Sequence, residues 1–148
     1  MTAAVLAIFC ATWPASLPRN IDRAAARAGA PSELAAATVG AESTCNRLKV
    51  SRLGAVSYGQ ILPGGSAAAR HTAKQLRQTK LNLRLTAEHL TRCLKLCGGD
   101  WDGAVALYSG VAREKVDGVP RCQSTKWSRY VVAGIERARA KFNHQRRS

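Results

Sequence analysis

Glycine and proline cut this chain into apolar segments of helical length, and that punctuation limits the fold more than any other feature. After a break at Pro14 to Pro18, Ile21 to Ala28 reads as a short helix, with Gly29 just past its end where the left-handed cap conformation falls. Pro31 suits the first turn of the next helix, which carries Leu34, Ala35, Val39 and Glu42. From Cys45 to Pro63 turn-forming residues are too frequent for a long helix, and Val56 and Ile61 fit short extended pieces. A small β element near residues 54–62 is therefore the most that is expected there. Gly64-Gly65 opens a helix over roughly Ser66 to Thr79. A stronger one runs from Asn82 to Leu96, with Leu83, Leu90, Leu94 and Cys97 at helical spacing and Gly98-Gly99 as the stop. Asp100 is a good N-cap for a helix through Trp101, Ala104, Leu107 and Tyr108. Gly110 to Ser124 reads as loop, carrying Gly118, Pro120 and Cys122. A last helix from Thr125 shows Trp127, Tyr130, Val131, Ile135 and Phe142 as its apolar side, with Trp101 and Trp127 expected in the core. No internal repeat or long linker interrupts this order. With 148 residues, 46% of them hydrophobic and only 5% aromatic, the expectation is one compact, mainly α domain rather than a β-sandwich.

The ends and the cysteines leave alternatives. Residues 1–18 are apolar up to Trp13 and stop at Pro14; they read as a first helix on the core, which we favour, or as a weak export signal lacking a basic start. The main domain then spans 19–142, and 143–148 form a basic tail expected to fray. No run reaches the roughly 18–20 apolar residues of a membrane span. Of five cysteines, Cys45, Cys93, Cys97 and Cys122 lie outside the N-terminal run and are enough for two disulfides in an exported protein. Cys93 and Cys97 share a helix face and would each pair elsewhere; reduced, partly buried thiols are the competing reading. A zinc site is disfavoured, because there is no Cys-x-x-Cys pair and His71, His89 and His144 do not fall at finger spacing.

Net charge is +14, from 23 basic and nine acidic residues, which draws a protein to polyanions such as nucleic acid, anionic lipid or the bacterial envelope. The Arg-rich segment from Arg70 to Arg92 reads as a solvated face that also favours such surfaces. In this basic chain Glu42 is the only acid between Glu33 and Glu88, and it ends an apolar helix. Apolar surroundings raise the pKa of an acid, and such an acid can hold a proton near neutral pH and give it to a leaving group. Hydrolytic glycosidases usually pair two carboxyl groups, about 5 Å apart for retention or about 6.5–9.5 Å for inversion. Here a second one would have to fold back from Glu88, Asp100 or Asp102.

The pair Glu42-Ser43, then Gly54-Ala55-Val56-Ser57-Tyr58-Gly59-Gln60-Ile61-Leu62-Pro63, an Asn-led helix at Asn82, and Gly98-Gly99-Asp100-Trp101 through Ala106-Leu107-Tyr108 resembles the soluble lytic transglycosylases. That family has a lysozyme-like fold close to goose-type lysozyme. Its usual pattern is Glu-Ser, then Gly-Ala-x-Gly-Leu-Met-Gln-x-Met-Pro, then the Asn-led helix and Ala-x-Tyr-Asn. The likeness runs from about Ile21 to Ala112 with the motifs in the family's order. It implies Glu42 as catalytic acid/base, with Ser43, Ser57, Tyr58, Gln60 and Tyr108 as substrate-binding residues. Ser57-Tyr58-Gly59 stands where the family has Gly-Leu-Met, and Ser109 where Asn is common.

The reaction implied is cleavage of the N-acetylmuramic acid–N-acetylglucosamine β-1,4 bond of peptidoglycan with closure of a 1,6-anhydro ring, by a monomer that needs no metal or cofactor. The setting implied is the bacterial periplasm and cell wall, reached by export, through a holin or inside a virion. A phage lysis enzyme or virion-borne enzyme fits a short, basic chain, and a secretion or conjugation accessory is the other kind of role. The alternatives are a hydrolytic lysozyme of the same fold, a non-catalytic wall-binding module and a basic nucleic-acid-binding helical protein. Sparse, dispersed aromatics count against the last, and no specific nucleic-acid partner is expected.

Overall fold

The structure, a computed structural model, describes residues 1–110, 115–116 and 119–145. It is mainly helical: α1 (Thr2–Phe9), α2 (Leu17–Ala28), α3 (Ser32–Ser43), α4 (Ala73–Leu76), α5 (Thr79–Leu96), α6 (Trp101–Tyr108) and α7 (Lys126–Gln145). Among the described residues no helix is long and apolar enough to cross a membrane.

The centre is α3. Every residue from Leu34 to Gly40 is buried, as the unbroken run of small and apolar side chains requires: a helix without a polar face has no side to give to water. Around it α1 packs on α3 and α7, while α2 and α6 pack on α5. The apolar N-terminal segment is thus a helix of the core, with Val5 and Leu6 fully buried. Its Phe9 ring fits between two glycines of different helices. A Cβ on Gly40 would lie 2.7 Å from Phe9, and one on Gly134 only 2.2 Å away. Trp101 and Trp127 both pack against this core, as their sequence neighbours suggested.

Two disulfides are present; one joins two of the four cysteines expected to supply them, and the other recruits Cys10 from the N-terminal run. Cys10 bonds Cys45, and Cys97 bonds Cys122, leaving Cys93 buried and reduced. The packing of α1 on α3 is the reason: it brings Cys10, at the end of one helix, to within 5.7 Å (Cα–Cα) of Cys45, just past the end of the other. The first bond therefore clamps the chain three residues beyond Glu42.

A second small core, made of Val56, Ile61, Ala68, Leu76 and Leu85, joins the 50–76 region to α5. Val56 forms antiparallel bridges to Val50 and to Ile61, the small β element expected near residues 54–62. The helix expected over Ser66 to Thr79 does not form. A 3-10 turn at Ser66–Ala68 is ended by left-handed backbone at Ala69 and Arg70. Thr72 then starts the separate α4 with a reciprocal capping box to Gln75, so local capping wins over continuation. The stretch expected as loop from Gly110 to Ser124 contains a two-residue antiparallel pair, β1 (Lys115–Val116) on β2 (Val119–Pro120), with Lys115 opposite Pro120. Gly118 and residues 146–148 of the basic tail lie outside the described residues, while Asn143 to Gln145 continue α7.

Candidate active site

Glu42 sits in the last turn of α3. Thr44 and Cys45 then take left-handed conformations that turn the chain back on itself. This return brings Lys49 to the helix end, where its Nζ donates to the Glu42 carbonyl oxygen at 2.6 Å. An ammonium here meets an otherwise unpaired last-turn carbonyl and the negative end of the helix dipole. The Lys49 carbonyl in turn accepts from the Ser57 backbone N–H at 2.9 Å and from Gln60 Nε2 at 3.1 Å. Glu42 and the 56–61 turn are thus tied together through one lysine.

The turn itself is fixed from α5 and α6. Asn82, fully buried near the start of α5, donates through Nδ2 to the carbonyls of Val56 and Leu76 and accepts at Oδ1 from the Gly59 N–H at 2.8 Å. Tyr108, at the end of α6, donates its hydroxyl to the Gly59 carbonyl at 2.7 Å. One peptide unit on either side of Gly59 is therefore gripped by side chains of two helices. No side chain fits at Gly59: a Cβ would lie 1.8 Å from Thr86 Oγ1 and 2.8 Å from Tyr108 Oη.

These parts wall a groove of about 590 Å³ lined by Glu42, Gln60, His89, Arg92 and Tyr108, with Leu62 and Leu96 among its apolar members. Burial raises the Glu42 carboxyl from an ordinary 4.5 to about 7, and the nearby Lys49 ammonium only partly offsets this. Burial also lowers His89 to about 4, with Arg92 acting in the same direction, and pushes the Cys93 thiol up to about 11. The Tyr108 phenol is raised as well, chiefly by burial. Near pH 7 the groove thus holds a half-protonated carboxyl, a neutral imidazole and an unreactive thiol.

Of the residues singled out from sequence, the structure brings Glu42, Gln60 and Tyr108 to the groove. The other three are corrected. Ser43 is fully buried and gives its hydroxyl to the Val39 carbonyl at 2.9 Å, one turn back in its own helix. Ser57 is fully buried with left-handed backbone (φ 66°), and Tyr58 after it points into the main core with 2% of its surface exposed. The Gln60 amide nitrogen is also committed to backbone, donating to the carbonyls of Lys49 and Ser57.

The acids that could have supplied a second carboxyl are elsewhere. Glu88 pairs with Arg84 at 3.3 Å on the outer side of α5, Asp100 caps α6 through the Gly103 N–H, and neither these nor Asp102 lines the groove. Among the described residues no cluster of three or more histidines, cysteines or acids could hold a metal ion. Comparisons with protein-family models, with curated proteins and with solved structures find no match to this chain.

Three residues of the site escaped the sequence reading: His89 and Arg92, which line the groove, and Lys49, which holds the Glu42 carbonyl without lining it. Asn82, Thr86, His89 and Cys93 recur at helical spacing, so one face of α5 carried a readable polar stripe beneath the arginine pattern. Lys49 left no such signal, because its approach to Glu42 depends on two left-handed residues in the intervening turn.

Proposed function

We propose that this protein is a peptidoglycan lytic transglycosylase of lysozyme-like fold. The observation that carries the reading is Glu42: the one carboxyl among the described residues that line the groove, held by burial near a pKa of 7. An acid so poised gives a proton and takes it back with little bias at neutral pH. The protonated Glu42 would donate to the oxygen of the N-acetylmuramic acid–N-acetylglucosamine bond as the C1–O bond breaks. The N-acetyl oxygen of muramic acid would stabilise the electron-poor C1. The Glu42 carboxylate would then remove the proton of the C6 hydroxyl while O6 bonds to C1, which closes the 1,6-anhydro ring and restores the acid. No water is consumed and no second carboxyl is needed.

Two features of the turn support the resemblance on which the reading draws. Ser57 stands where the family pattern has glycine, and its φ of 66° lies in the region that favours glycine. Asn82, the residue of the Asn-led helix, binds the turn through two hydrogen bonds, to Val56 and Gly59, and ties it to Leu76 through a third. The test is incubation of the protein with purified murein sacculi and mass spectrometry of the sugar ends, with Glu42→Gln as control. Anhydromuramic ends from the wild type alone are expected. Reducing muramic ends would move the reading to a hydrolytic lysozyme, and no release across the pH range would overturn both. Because the first step needs the protonated acid, kcat/KM is expected to fall as pH rises through about 7.

A further inference from the structure

Arg92 is the one lysine or arginine among the described residues that line the groove. Its Nη2 lies 3.3 Å from His89 Nδ1. A guanidinium has donors only, so His89 Nδ1 is the acceptor and the imidazole proton resides on Nε2, which faces Cys93 Sγ at 4.0 Å. His89 is itself held in place, its ring 5.1 Å from that of Tyr108. Burial keeps it neutral, so it orients the arginine without repelling it. No carboxylate among the described residues pairs with Arg92: on its own helix Glu88 is taken by Arg84. Among the described residues the guanidinium is therefore a charge with one anchored corner and N–H groups left for a ligand, in a groove whose one described acid is half-neutral at pH 7 and largely neutral below it. Planar paired donors fit a carboxylate.

We infer that Arg92, oriented by His89, is an anion subsite of the groove that takes a carboxylate of the glycan substrate. The inference rests on the peptidoglycan reading and deepens it. In peptidoglycan that carboxylate has two sources: the lactyl group of muramic acid in strands freed of peptide, or the peptide stem in intact strands. Chitooligosaccharides carry the same backbone with neither. Arg92 is a specificity-determining residue here and takes no part in proton transfer.

The test uses the full chain carrying Glu42→Gln, so that ligands are bound without turnover, titrated by calorimetry with three probes: stem-bearing glycan strands, strands stripped by an amidase, and a chitooligosaccharide of matched length. Both acidic strands are expected to bind about tenfold more tightly than the chitooligosaccharide at low salt, with the difference shrinking as salt is added. Adding Arg92→Gln should erase that preference, and Arg92→Lys should restore part of it. Tighter binding of the stripped strand assigns the lactyl carboxylate, and tighter binding of the stem-bearing strand assigns the stem. A preference that survives Arg92→Gln, or equal binding of all three probes before substitution, overturns the subsite. Failure of the underlying reading looks different: the wild type leaves sacculi intact and the Glu42→Gln chain binds none of the probes, which removes both proposals together.

Discussion

Replacing Glu42 by glutamine should make the protein more stable at pH 8 while leaving it almost unaltered at pH 4. Folded, Glu42 holds its proton up to about pH 7; unfolded, it releases it near 4.5. Between those values the folded state binds more protons, so raising the pH favours unfolding. At 1.36 kcal/mol per pH unit the full effect is about 3.4 kcal/mol; water reaching the carboxylate from the open groove reduces this to roughly 2–3 kcal/mol. Glutamine has nearly the shape of the protonated acid and never ionises, so the variant avoids this loss. The difference in unfolding free energy between variant and wild type should be near zero below pH 4.5. It should grow through the interval and level off above pH 7. At pH 8 it amounts to a rise in Tm of about 5–10 °C for a domain of this size. Urea titrations followed by tryptophan fluorescence in buffers from pH 4 to 8.5, disulfides intact, measure it directly. Parallel stability curves for the two proteins, or a variant less stable at pH 8, would refute the claim that Glu42 is buried without adequate compensation, whatever the substrate proves to be.

Gly59→Ala places a methyl group on Thr86 Oγ1 and Tyr108 Oη; it should cost about 1–3 kcal/mol and most of the activity, and an unshifted melting curve would show that the turn is not clamped as described. Ser57→Gly relieves a left-handed serine and removes a buried hydroxyl without a partner among the described residues, for a net gain of about 1 kcal/mol after the added freedom of the unfolded chain, checked by urea midpoint; a loss would contradict it. Lys49→Met removes the cation that partly offsets burial of Glu42, so the alkaline limb of the activity profile should move to higher pH, and movement to lower pH would reverse the assigned electrostatics. Opening the 35-residue separation between Cys10 and Cys45 with Cys10→Ser should cost about 3–4 kcal/mol, and a variant whose unfolding matches the wild type would deny the bond a role in stability.

The order of helices was legible in the sequence because each is bounded by residues with strong local preferences. Gly29 adopts the left-handed cap that ends α2, Asp100 accepts the Gly103 N–H at the start of α6, and Gly98-Gly99 stop α5. The motif at Glu42 was legible for a similar reason. An acid among alanines and a valine has one electrostatic fate once the helix is central, and Leu34 to Gly40 are buried on every side. Local preference also explains where the reading failed. The helix expected through Ser66 to Thr79 had no glycine or proline stop inside it, and the left-handed Ala69 and Arg70 together with the Thr72 capping box divide it.

Side-chain direction within a turn and the meeting of residues far apart in the chain are long-range outcomes. Tyr58 looked like a groove residue by position and is core, because the left-handed Ser57 before it redirects the backbone. Cys10 found Cys45 because α1 packs on α3, a contact between helices that no cysteine count encodes. Arg92 was one arginine in a basic stretch until α5 turned it toward the groove beside His89. The sequence by itself determined the helical punctuation and the isolation of one acid, both properties of neighbouring residues. Only the tertiary structure decided that this acid is dehydrated, that Asn82 and Tyr108 grip the turn beside it, and that the Arg92 guanidinium shares its groove, because dielectric and contact are set by what the rest of the chain packs there.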